Sequence, residues 1–308
     1  MRGAYASRSL FIKMDIIAYM YEFARTSKRS KNYRRSYLNL ARKLSKFAEQ
    51  HRLEITTETV NEPVLEEFVD YMRREGLMKS TIFCLVTRIK TILRRMQADN
   101  IPVNRSCFDF SVESEQGNAI YLTSDEVRQI AALQIKKREV AIIRDVFVVG
   151  CLTGMRYSDY VALTSSNIVG NTIVRRTKKT GATVVIPIHP LVREILARYG
   201  GEFPRYRRSQ ANFNKVIKNI CKRAGVKGYV LVERTVGMRV QRKRIKRYTL
   251  VGSHTARRSF ATNLYLAGVS AGRIMLLTGH KTEDAFFRYI RINKEENAKI
   301  LSEHSFFK

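Results

Sequence analysis

Apolar residues in the first third of the chain recur at intervals of three and four, and this period restricts the possible folds most. Residues at that interval lie along one face of an α-helix. One run starts at Ser30, a second extends from about Pro63 to Gly76, and a third starts at Ser80. The pattern predicts a small all-helical domain. The apolar stripe of the first run consists of Tyr33, Tyr37, Leu40, Leu44 and Phe47.

The remaining faces of these helices are strongly basic, and so is the chain as a whole. Lys and Arg number 57 against 27 Asp and Glu, which gives a formal net charge of +30. Nucleic acid is favoured over an anionic membrane as the partner, because the cations are spread along the chain and not gathered on one amphipathic helix. The residues of this region that are predicted to contact DNA are Lys31, Arg34, Arg35, Arg42, Lys79 and Arg88.

The composition excludes several other classes of protein. Hydrophobic residues make up 44% of the 308 positions without a long apolar run, which is typical of a folded chain that does not span a membrane. Lys13 and Asp15 interrupt the apolar patch near the start, so a signal peptide is not predicted and a cytoplasmic location is expected. No metal or cofactor site is predicted. The cysteines, which lack the spacing of zinc ligands and are expected to be reduced, are Cys84, Cys107, Cys151 and Cys221.

The helical period lapses after about residue 104, and this lapse divides the chain into two predicted domains. Residues 1–105 form the helical domain, 106–122 a linker, and 123–308 a second domain with a C-terminal tail. The second domain opens with Thr123 and Glu126, which predict a capping box at the start of a helix.

Two parts of the second domain are rich in Val, Ile and Thr, and each predicts a β-hairpin. The first hairpin pairs Thr172–Arg176 with Thr183–Ile188, and the second pairs Tyr229–Val232 with Met238–Leu250. Helices return from His254. The predicted fold is therefore mainly α with small β-hairpins, of the α+β class. The basic residues of the second hairpin that are predicted to contact DNA are Arg242, Lys243, Arg244 and Lys246.

Five short stretches of the second domain carry residues suited to phosphate chemistry, and two come early. Arg156 enters a helix after Gly154, and Asp159 lies on the same helical face. A guanidinium steered by a carboxylate suits phosphate oxygens, although a surface ion pair also explains the pair. Lys179 lies in the turn of the first hairpin, where its ammonium is able to protonate a leaving oxygen. A solvated lysine is the alternative there, and Lys178 competes for the same role.

The other three stretches lie toward the C terminus. His254 and Arg257 are one helical turn apart and suit an oxygen that acquires charge, although such pairs also arise by chance. Gly279 predicts a helix end that places His280 at the start of the next structure, where a helix-capping role explains it equally well. Tyr289 lies among aromatic and basic residues. A phenol, with an ordinary pKa of about 10, is a useful nucleophile only beside cations or a base, and most tyrosines are structural.

In order and spacing, these stretches together resemble the tyrosine recombinase (phage integrase) family. The resemblance covers nearly everything from Thr123 to Arg291, and the helical first domain resembles the SAM-like core-binding domain of the family. It implies a C-shaped clamp on DNA and a site-specific recombinase that integrates, excises or inverts a DNA segment. The elements that carry it are Leu-Thr-Gly-x-Arg, Lys-Thr-Gly, His-x-x-Arg-x-Ser-Phe-Ala-Thr, and Thr-Gly-His followed by Tyr.

The resemblance also implies how the site holds the scissile phosphate. Arg156 and Arg257 contact the non-bridging oxygens, and Asp159 orients Arg156. His254 and His280 hydrogen-bond the phosphate and assist proton movement.

By the same resemblance, Tyr289 is the nucleophile and Lys179 protonates the leaving 5′ oxygen. The product is a 3′-phosphotyrosine link that stores the energy of the broken bond, so neither ATP nor a metal is expected. The implied partners are double-stranded DNA with paired recombination sites, three further copies of the chain in a tetramer on DNA, and accessory DNA-bending proteins. The free protein is expected to be a monomer, and no membrane is involved.

Two features depart from the family pattern. Arg258 stands where many members have histidine, and we expect it to place another cation beside the DNA backbone. The chain has no room for an arm-binding domain before the helical domain, so it looks like a short form, closer in layout to invertases and resolving recombinases. The tail from Asn293 to Lys308 is predicted to be a helix that packs on its own domain or on a neighbouring protomer.

Two rival functions belong to other classes. A DNA-binding regulator or architectural protein would keep the shape without the chemistry, and the filled catalytic positions argue against it. A type IB topoisomerase would share the chemistry and relax supercoils, and the compact helical first domain favours recombination instead. The target sequence and the direction of recombination are left open by the sequence.

Overall fold

The chain folds into two compact units. The tail from Asn293 to Lys308 was predicted to be a helix that packs on its own domain or on a neighbouring protomer. Most residues of this tail lie outside the part of the chain that the structure describes. In the part of the chain that is described, no helix is long and apolar enough to cross a membrane. The computed structural model describes residues 13–115, 117–290, 292, 298, 302 and 305–307. The first unit contains Met1–Gly117 and Val232–Lys243, and the second contains Asn118–Leu231 and Arg244–Lys308.

Three helices of the first unit follow the predicted stripes, and two more, Ile16–Thr26 and Ser106–Asp109 in the predicted linker, were not predicted. The side chains of Asp15, Ser30 and Asn61 each accept a hydrogen bond from the first turn of a helix, which satisfies backbone donors that have no partner inside the helix. The all-helical prediction for this region is confirmed. Among the described residues, the helices are α1 (Ile16–Thr26), α2 (Lys31–His51), α3 (Glu62–Arg74), α4 (Lys79–Ala98) and α5 (Ser106–Asp109).

The core of the first unit forms where the apolar stripes of these helices meet. Phe47 of α2 contacts Phe68 of α3 edge to face, with ring centroids 5.4 Å apart. Tyr33 lies at the margin of the core, 36% exposed, with its hydroxyl 3.2 Å from that of Tyr37. The other members of the first predicted stripe, all buried, are Tyr37, Leu40, Leu44 and Phe47.

The second unit is built around one long buried helix, Arg138–Thr153, in which ten of 16 residues are buried. A helix that is buried on most of its circumference belongs to the interior of a domain. The capping box predicted at Thr123 and Glu126 is present at the start of the preceding helix. Within the described residues, the helices of this unit are α6 (Ser124–Ala132), α7 (Arg138–Thr153), α8 (Tyr157–Tyr160), α9 (Pro190–Arg198), α10 (Gln210–Arg223), α11 (Ser253–Leu266), α12 (Ala271–Thr278) and α13 (Glu283–Phe287).

The first predicted hairpin is present as part of a three-stranded antiparallel sheet. Strand β2 (Thr172–Arg176) pairs with β3 (Thr183–Pro187), and Ile173 lies opposite Ile186 in the core. A short strand β1 (Ile168–Val169) adds to the edge of β2, and the sequence did not predict it because two residues carry no detectable alternation.

The second predicted hairpin is also present, with different limits. Strand β4 (Tyr229–Val236) pairs with β5 (Arg239–Lys246), and the chain then forms a 3-10 turn over Arg247–Leu250. The prediction that the second strand continues to Leu250 was wrong. Arg247 begins this turn, and its side chain forms an ion pair with Glu126 and donates to the backbone oxygen of Tyr121.

Candidate active site

The first predicted site residue, Arg156, lies where the buried helix α7 ends. Gly154 ends the helix with a φ of 64°, a left-handed conformation that favours glycine, and a Cβ there would overlap the ring of Phe260. Arg156 then starts the short helix α8, as the sequence predicted. Its side chain is partly buried, and its Nη1 atom has no hydrogen-bond partner in the described structure.

Arg257, on helix α11, lies at the centre of the site and is 1% exposed. Its Nη1 atom donates to the backbone oxygens of Gly154 at 2.9 Å and Thr278 at 2.7 Å. Its Nη2 atom donates to Nε2 of His280 at 2.9 Å. Burial, and then the charge of Arg156, lower the pKa of Arg257 to about 10, so the guanidinium is still charged at neutral pH.

His280 follows the end of helix α12, as predicted. Gly279 ends that helix with a φ of 67°, and the imidazole of His280 then faces Arg257. Burial lowers the pKa of His280 to about 3, and the charges of Arg257 and Arg156 add to the effect. The ring is therefore neutral at neutral pH.

Tyr289 lies close to three residues of the predicted site. Its ring centroid is 4.9 Å from that of His280. The guanidinium carbons of Arg257 and Arg258 lie 5.4 Å and 5.8 Å from it. The short helix α13 precedes it, and Phe286 anchors that helix with a fully buried ring. The ring of Tyr289 is thus held beside two guanidinium groups, at distances typical of cation–π contacts.

His254 occupies the first turn of α11, one turn before Arg257, and its side chain is exposed. Partial removal of the ring from water is the first cause that lowers the pKa of His254. Four positive charges lower it further, from Arg258, Arg257, Lys179 and Arg156 in decreasing order. His254 therefore lies within electrostatic reach of all the cations predicted for the site.

The lysine turn between β2 and β3 is tied to the site through its backbone. Lys178 N donates to Oδ1 of Asp159 at 2.9 Å, while the side chains of Lys178 and Lys179 are both exposed. Asp159 is fully buried and its Oδ2 has no hydrogen-bond partner in the described structure. Among the described residues, the predicted contact of Asp159 with Arg156 is absent, and Oδ1 of Asp159 accepts from the lysine turn instead. Its charge acts on Arg257, whose pKa it raises against the effect of burial.

The site leaves hydrogen-bond donors directed at no protein acceptor. Nη1 of Arg156 and Nε of Arg257 are both buried and have no partner among the described residues. It is costly to leave a buried charged donor without an acceptor, so these two nitrogens are candidates for contact with an anionic ligand. Phosphate oxygens fit such donors well.

The other predicted DNA contacts are distributed over the basic surface. Lys31, Arg35 and Arg42 are exposed, and Arg34 and Arg88 are partly buried. Four of the predicted contacts have a partner in the described structure: Arg42 donates to Oδ1 of Asn39 at 3.2 Å, Lys79 pairs with Glu113 at 2.8 Å, Arg242 pairs with Glu233 at 2.5 Å, and Arg244 lies over the Tyr229 ring at 5.0 Å. On the second hairpin, Lys243 and Lys246 are exposed.

Sequence reasoning assigned no role to Ser259 and Asn263, although Ser259 belongs to a quoted motif. Ser259 accepts a hydrogen bond from Leu122 N at 2.9 Å, and Asn263 donates to Leu122 O at 3.0 Å. Both residues lie on α11, one and two turns from Arg257. They attach the start of the second unit to the helix that carries the site, a contact across more than 130 positions that no local pattern reveals.

Two family models match the sequence. The phage integrase family matches residues 121–296, and the phage integrase SAM-like domain matches residues 15–106. The chain therefore belongs to the phage integrase family of tyrosine recombinases. No curated protein matches it significantly.

Solved structures of other integrases share the fold. The Tn1549 transposon integrase in complex with circular intermediate DNA is 17% identical with a TM-score of 0.66, over 94% of this chain and 100% of that chain. A lambda integrase tetramer bound to a Holliday junction is 16% identical with a TM-score of 0.62, over 87% and 77% of the two chains. A lambda integrase dimer bound to a core site is 16% identical with a TM-score of 0.64, over 91% and 96%.

Proposed function

We propose that this chain is a site-specific DNA recombinase that cleaves and rejoins DNA through Tyr289. One observation carries the proposal: the phenol of Tyr289 lies against His280, Arg257 and Arg258, beside unpartnered donors of Arg156 and Arg257. A phenol becomes a nucleophile where cations stabilise its anion, and the free donors match the oxygens of a phosphodiester.

In the proposed reaction, the phenolic oxygen of Tyr289 attacks phosphorus and the bond from phosphorus to the 5′ oxygen breaks. Arg156 and Arg257 hold the non-bridging oxygens, where charge develops. Lys179 gives a proton to the leaving 5′ oxygen, and the phenolic proton passes to a neighbouring base or water. The 5′ hydroxyl of a partner strand then attacks the phosphotyrosine, which releases Tyr289 and restores the DNA backbone.

Two histidines and a second lysine complete the proposed site. His254, whose pKa is lowered, contacts the phosphate and assists proton movement. Both ring nitrogens of His280 already have partners, Arg257 and Thr278, so this neutral ring acts on the phosphate through Arg257 and not through a hydrogen bond of its own. Lys178 is a second candidate for the proton donor, because both lysines of the turn are exposed. Asp159 supports either one by holding the backbone of the turn.

The proposed partner is double-stranded DNA with paired recombination sites. Similar integrases were solved on DNA as a dimer and as a tetramer, which supports a tetramer of this chain on DNA. The high positive charge agrees, because each neutralised phosphate releases counterions and favours binding. We further propose a cytoplasmic protein that is a monomer when free, with accessory DNA-bending proteins and with integration, excision or inversion as the outcome.

Covalent trapping tests the proposal. Nicked duplexes that tile the DNA flanking the gene lose a short 5′-hydroxyl strand on cleavage, so the protein stays attached to the DNA. We expect a denaturation-resistant adduct at one defined sequence, formed by the wild type and abolished by Tyr289→Phe. Absence of any adduct with intact DNA binding would instead indicate a regulator. Adducts at unrelated sequences, together with relaxation of supercoiled plasmid, would indicate a topoisomerase.

A further inference from the structure

Thr278, the last residue of α12, contacts the site through a side chain that is 1% exposed. Its Oγ1 atom lies 2.7 Å from the backbone oxygen of Ile274 and 2.8 Å from Nδ1 of His280. The other ring nitrogen of His280 lies 2.9 Å from Nη2 of Arg257. A continuous chain of hydrogen bonds therefore connects the backbone of α12 to the guanidinium at the centre of the site.

The direction of each hydrogen bond in this chain follows from the arginine. A guanidinium has only donors, so Nε2 of His280 accepts from Nη2 of Arg257 and carries no proton. The neutral imidazole then has its proton on Nδ1, which donates to Oγ1 of Thr278. The single hydroxyl hydrogen of Thr278 is left for the oxygen of Ile274, one helical turn earlier.

Two further observations agree with this assignment. An imidazolium would direct an N–H group of His280 at the N–H group of Arg257, and the ring is in fact held neutral by burial and by the neighbouring cations. Nη1 of Arg257 is held by the backbone oxygens of Gly154 and Thr278, which do not depend on any side chain. The hydrogen bond to His280 thus anchors Nη2, and Thr278 contacts the ring that makes it.

We propose that Thr278 is a positioning residue that fixes the tautomer and orientation of His280, so that Nε2 accepts from Arg257 and sets the direction of its guanidinium. This inference rests on the proposed function of the site. Without the hydroxyl, Nδ1–H of His280 is buried with no acceptor, and the ring relieves this cost by rotating or by exchanging its tautomer. Arg257 then loses an acceptor and its fork is less well directed at the phosphate.

A matched set of threonine substitutions tests the inference. Thr278→Val removes the hydroxyl with little change in shape, and Thr278→Ser keeps it. Thr153→Val is the control, because the hydroxyl of Thr153 donates in the same way to Val149 O at 2.8 Å and is equally buried at the end of α7. We expect Thr278→Val to form the covalent adduct about tenfold more slowly, with unchanged DNA affinity. Thr278→Ser and Thr153→Val should stay within about twofold of the wild type.

A second measurement does not depend on cleavage. The ¹⁵N chemical shifts of histidine rings distinguish a protonated from a bare nitrogen, and His280→Gln identifies the signals of His280. We expect a protonated Nδ1 and a bare Nε2 in the wild type and in Thr278→Ser, and a mixture of tautomers in Thr278→Val. If the wild type forms no adduct, the proposed function fails, and the ring shifts still decide whether Thr278 holds the tautomer.

Three results would overturn the inference. The first is cleavage by Thr278→Val at the wild-type rate. The second is an equal loss in Thr278→Ser, which would assign the effect to the methyl group of Thr278. The third is a protonated Nε2 in the wild type. If Thr278→Val does not fold, the ring shifts of the wild type and the cleavage rate of Thr278→Ser decide whether Thr278 fixes the tautomer of His280.

Discussion

Arg156 and Arg257 are both predicted to hold the phosphate, and the structure gives them different surroundings. Arg257 is fixed by two backbone oxygens and a histidine, whereas Nη1 of Arg156 has no acceptor among the described residues. Preorganised donors stabilise charge in a transition state because they need no reorganisation during the reaction. The fixed guanidinium supplies the rigid part of the site, and Arg156 keeps a donor free for the ligand.

Replacing Arg156 tests this assignment at the level of one residue. We expect Arg156→Ala to slow adduct formation by about 100- to 1,000-fold, since one preorganised contact to a developing charge is removed. Arg128→Ala is the control, because Arg128 lies in the same unit, is exposed and pairs with Asp125. The measurement is single-turnover adduct formation on a nicked duplex. A rate close to that of the control would show that Arg156 does not act on the phosphate.

Gly154 has two reasons to be glycine, and a paired substitution separates them. Gly154→Ala would place a Cβ on a left-handed backbone and against the ring of Phe260. Gly200→Ala would place one on a backbone with a similar φ of 65°, with no other atom within 4 Å. We expect both to destabilise by about 1–2 kcal/mol through backbone strain, and Gly154→Ala by about 1–3 kcal/mol more through overpacking. Urea denaturation measures the free energy of unfolding of both variants. An equal loss in the two variants would contradict the clash with Phe260.

His280 makes the free energy of unfolding depend on pH. Its pKa is about 3 in the folded chain and about 6.5 in the unfolded chain, so the unfolded state binds more protons between these values. Stability from this residue is therefore fully present above pH 6.5 and is lost as the pH falls toward 3. We expect His280→Gln to flatten the slope of unfolding free energy between about pH 4 and 6.5, measured in urea. An unchanged slope would show that the ring titrates normally in the folded protein.

At the scale of elements, the site is assembled from the ends of four separate helices and one turn. The end of α7 supplies Arg156, α11 supplies His254 and Arg257, the end of α12 supplies His280, and Tyr289 follows α13. Helix ends leave backbone oxygens without partners, and two of these oxygens hold Arg257. Backbone oxygens that have no partner inside their own helix thus position Arg257.

The second hairpin supplies a prediction about DNA binding at this scale. Replacing Lys243 and Lys246 by Gln should weaken binding to all sequences alike and reduce the slope of log affinity against log salt by about 1–2, since each phosphate contact contributes about 0.9. Lys136 and Lys137, which are equally exposed, provide a matched double control. Binding isotherms over a range of salt concentrations give both slopes. A hairpin variant with the slope of the wild type would show that this strand does not reach DNA.

At the scale of the whole molecule, positive charge is carried by both units and the residues of the candidate site by the second. In the proposed function, the charge provides affinity for DNA that does not depend on sequence, and the site needs only to position one phosphodiester. The proposed reaction exchanges one phosphodiester for another of similar energy. It therefore needs no energy source.

Because one phosphodiester replaces another of similar energy, we expect adduct formation and strand exchange to proceed in EDTA without ATP. Charge on the phosphate is balanced by guanidinium groups, so we expect rates within about twofold of those with Mg²⁺. The measurement is the yield of adduct and of recombined product on the same duplexes with and without chelator. A Mg²⁺-dependent nuclease assayed in parallel confirms that the chelator is effective. Loss of cleavage in EDTA would contradict the proposed mechanism.

The sequence by itself determined many of the helices, both hairpins and the order of the candidate residues, but it did not predict α1, α5, α9 or α10. Helices and strands follow local rules, such as apolar spacing in α2, the capping box at Thr123 and the glycine that ends α12. The two-residue strand β1 and the end of β5 escaped these rules. Arg247, which follows β5, pairs with Glu126, about 120 positions away.

Only the tertiary structure decided which partners the polar side chains take. Asp159 holds the lysine turn instead of Arg156, and Thr278 directs His280 toward Arg257. Such choices depend on distances of about 3 Å between residues far apart in sequence, and on the cost of leaving a buried donor unpaired. A local sequence pattern contains neither these distances nor this cost. The partners of the polar side chains are therefore decided only in the packed structure.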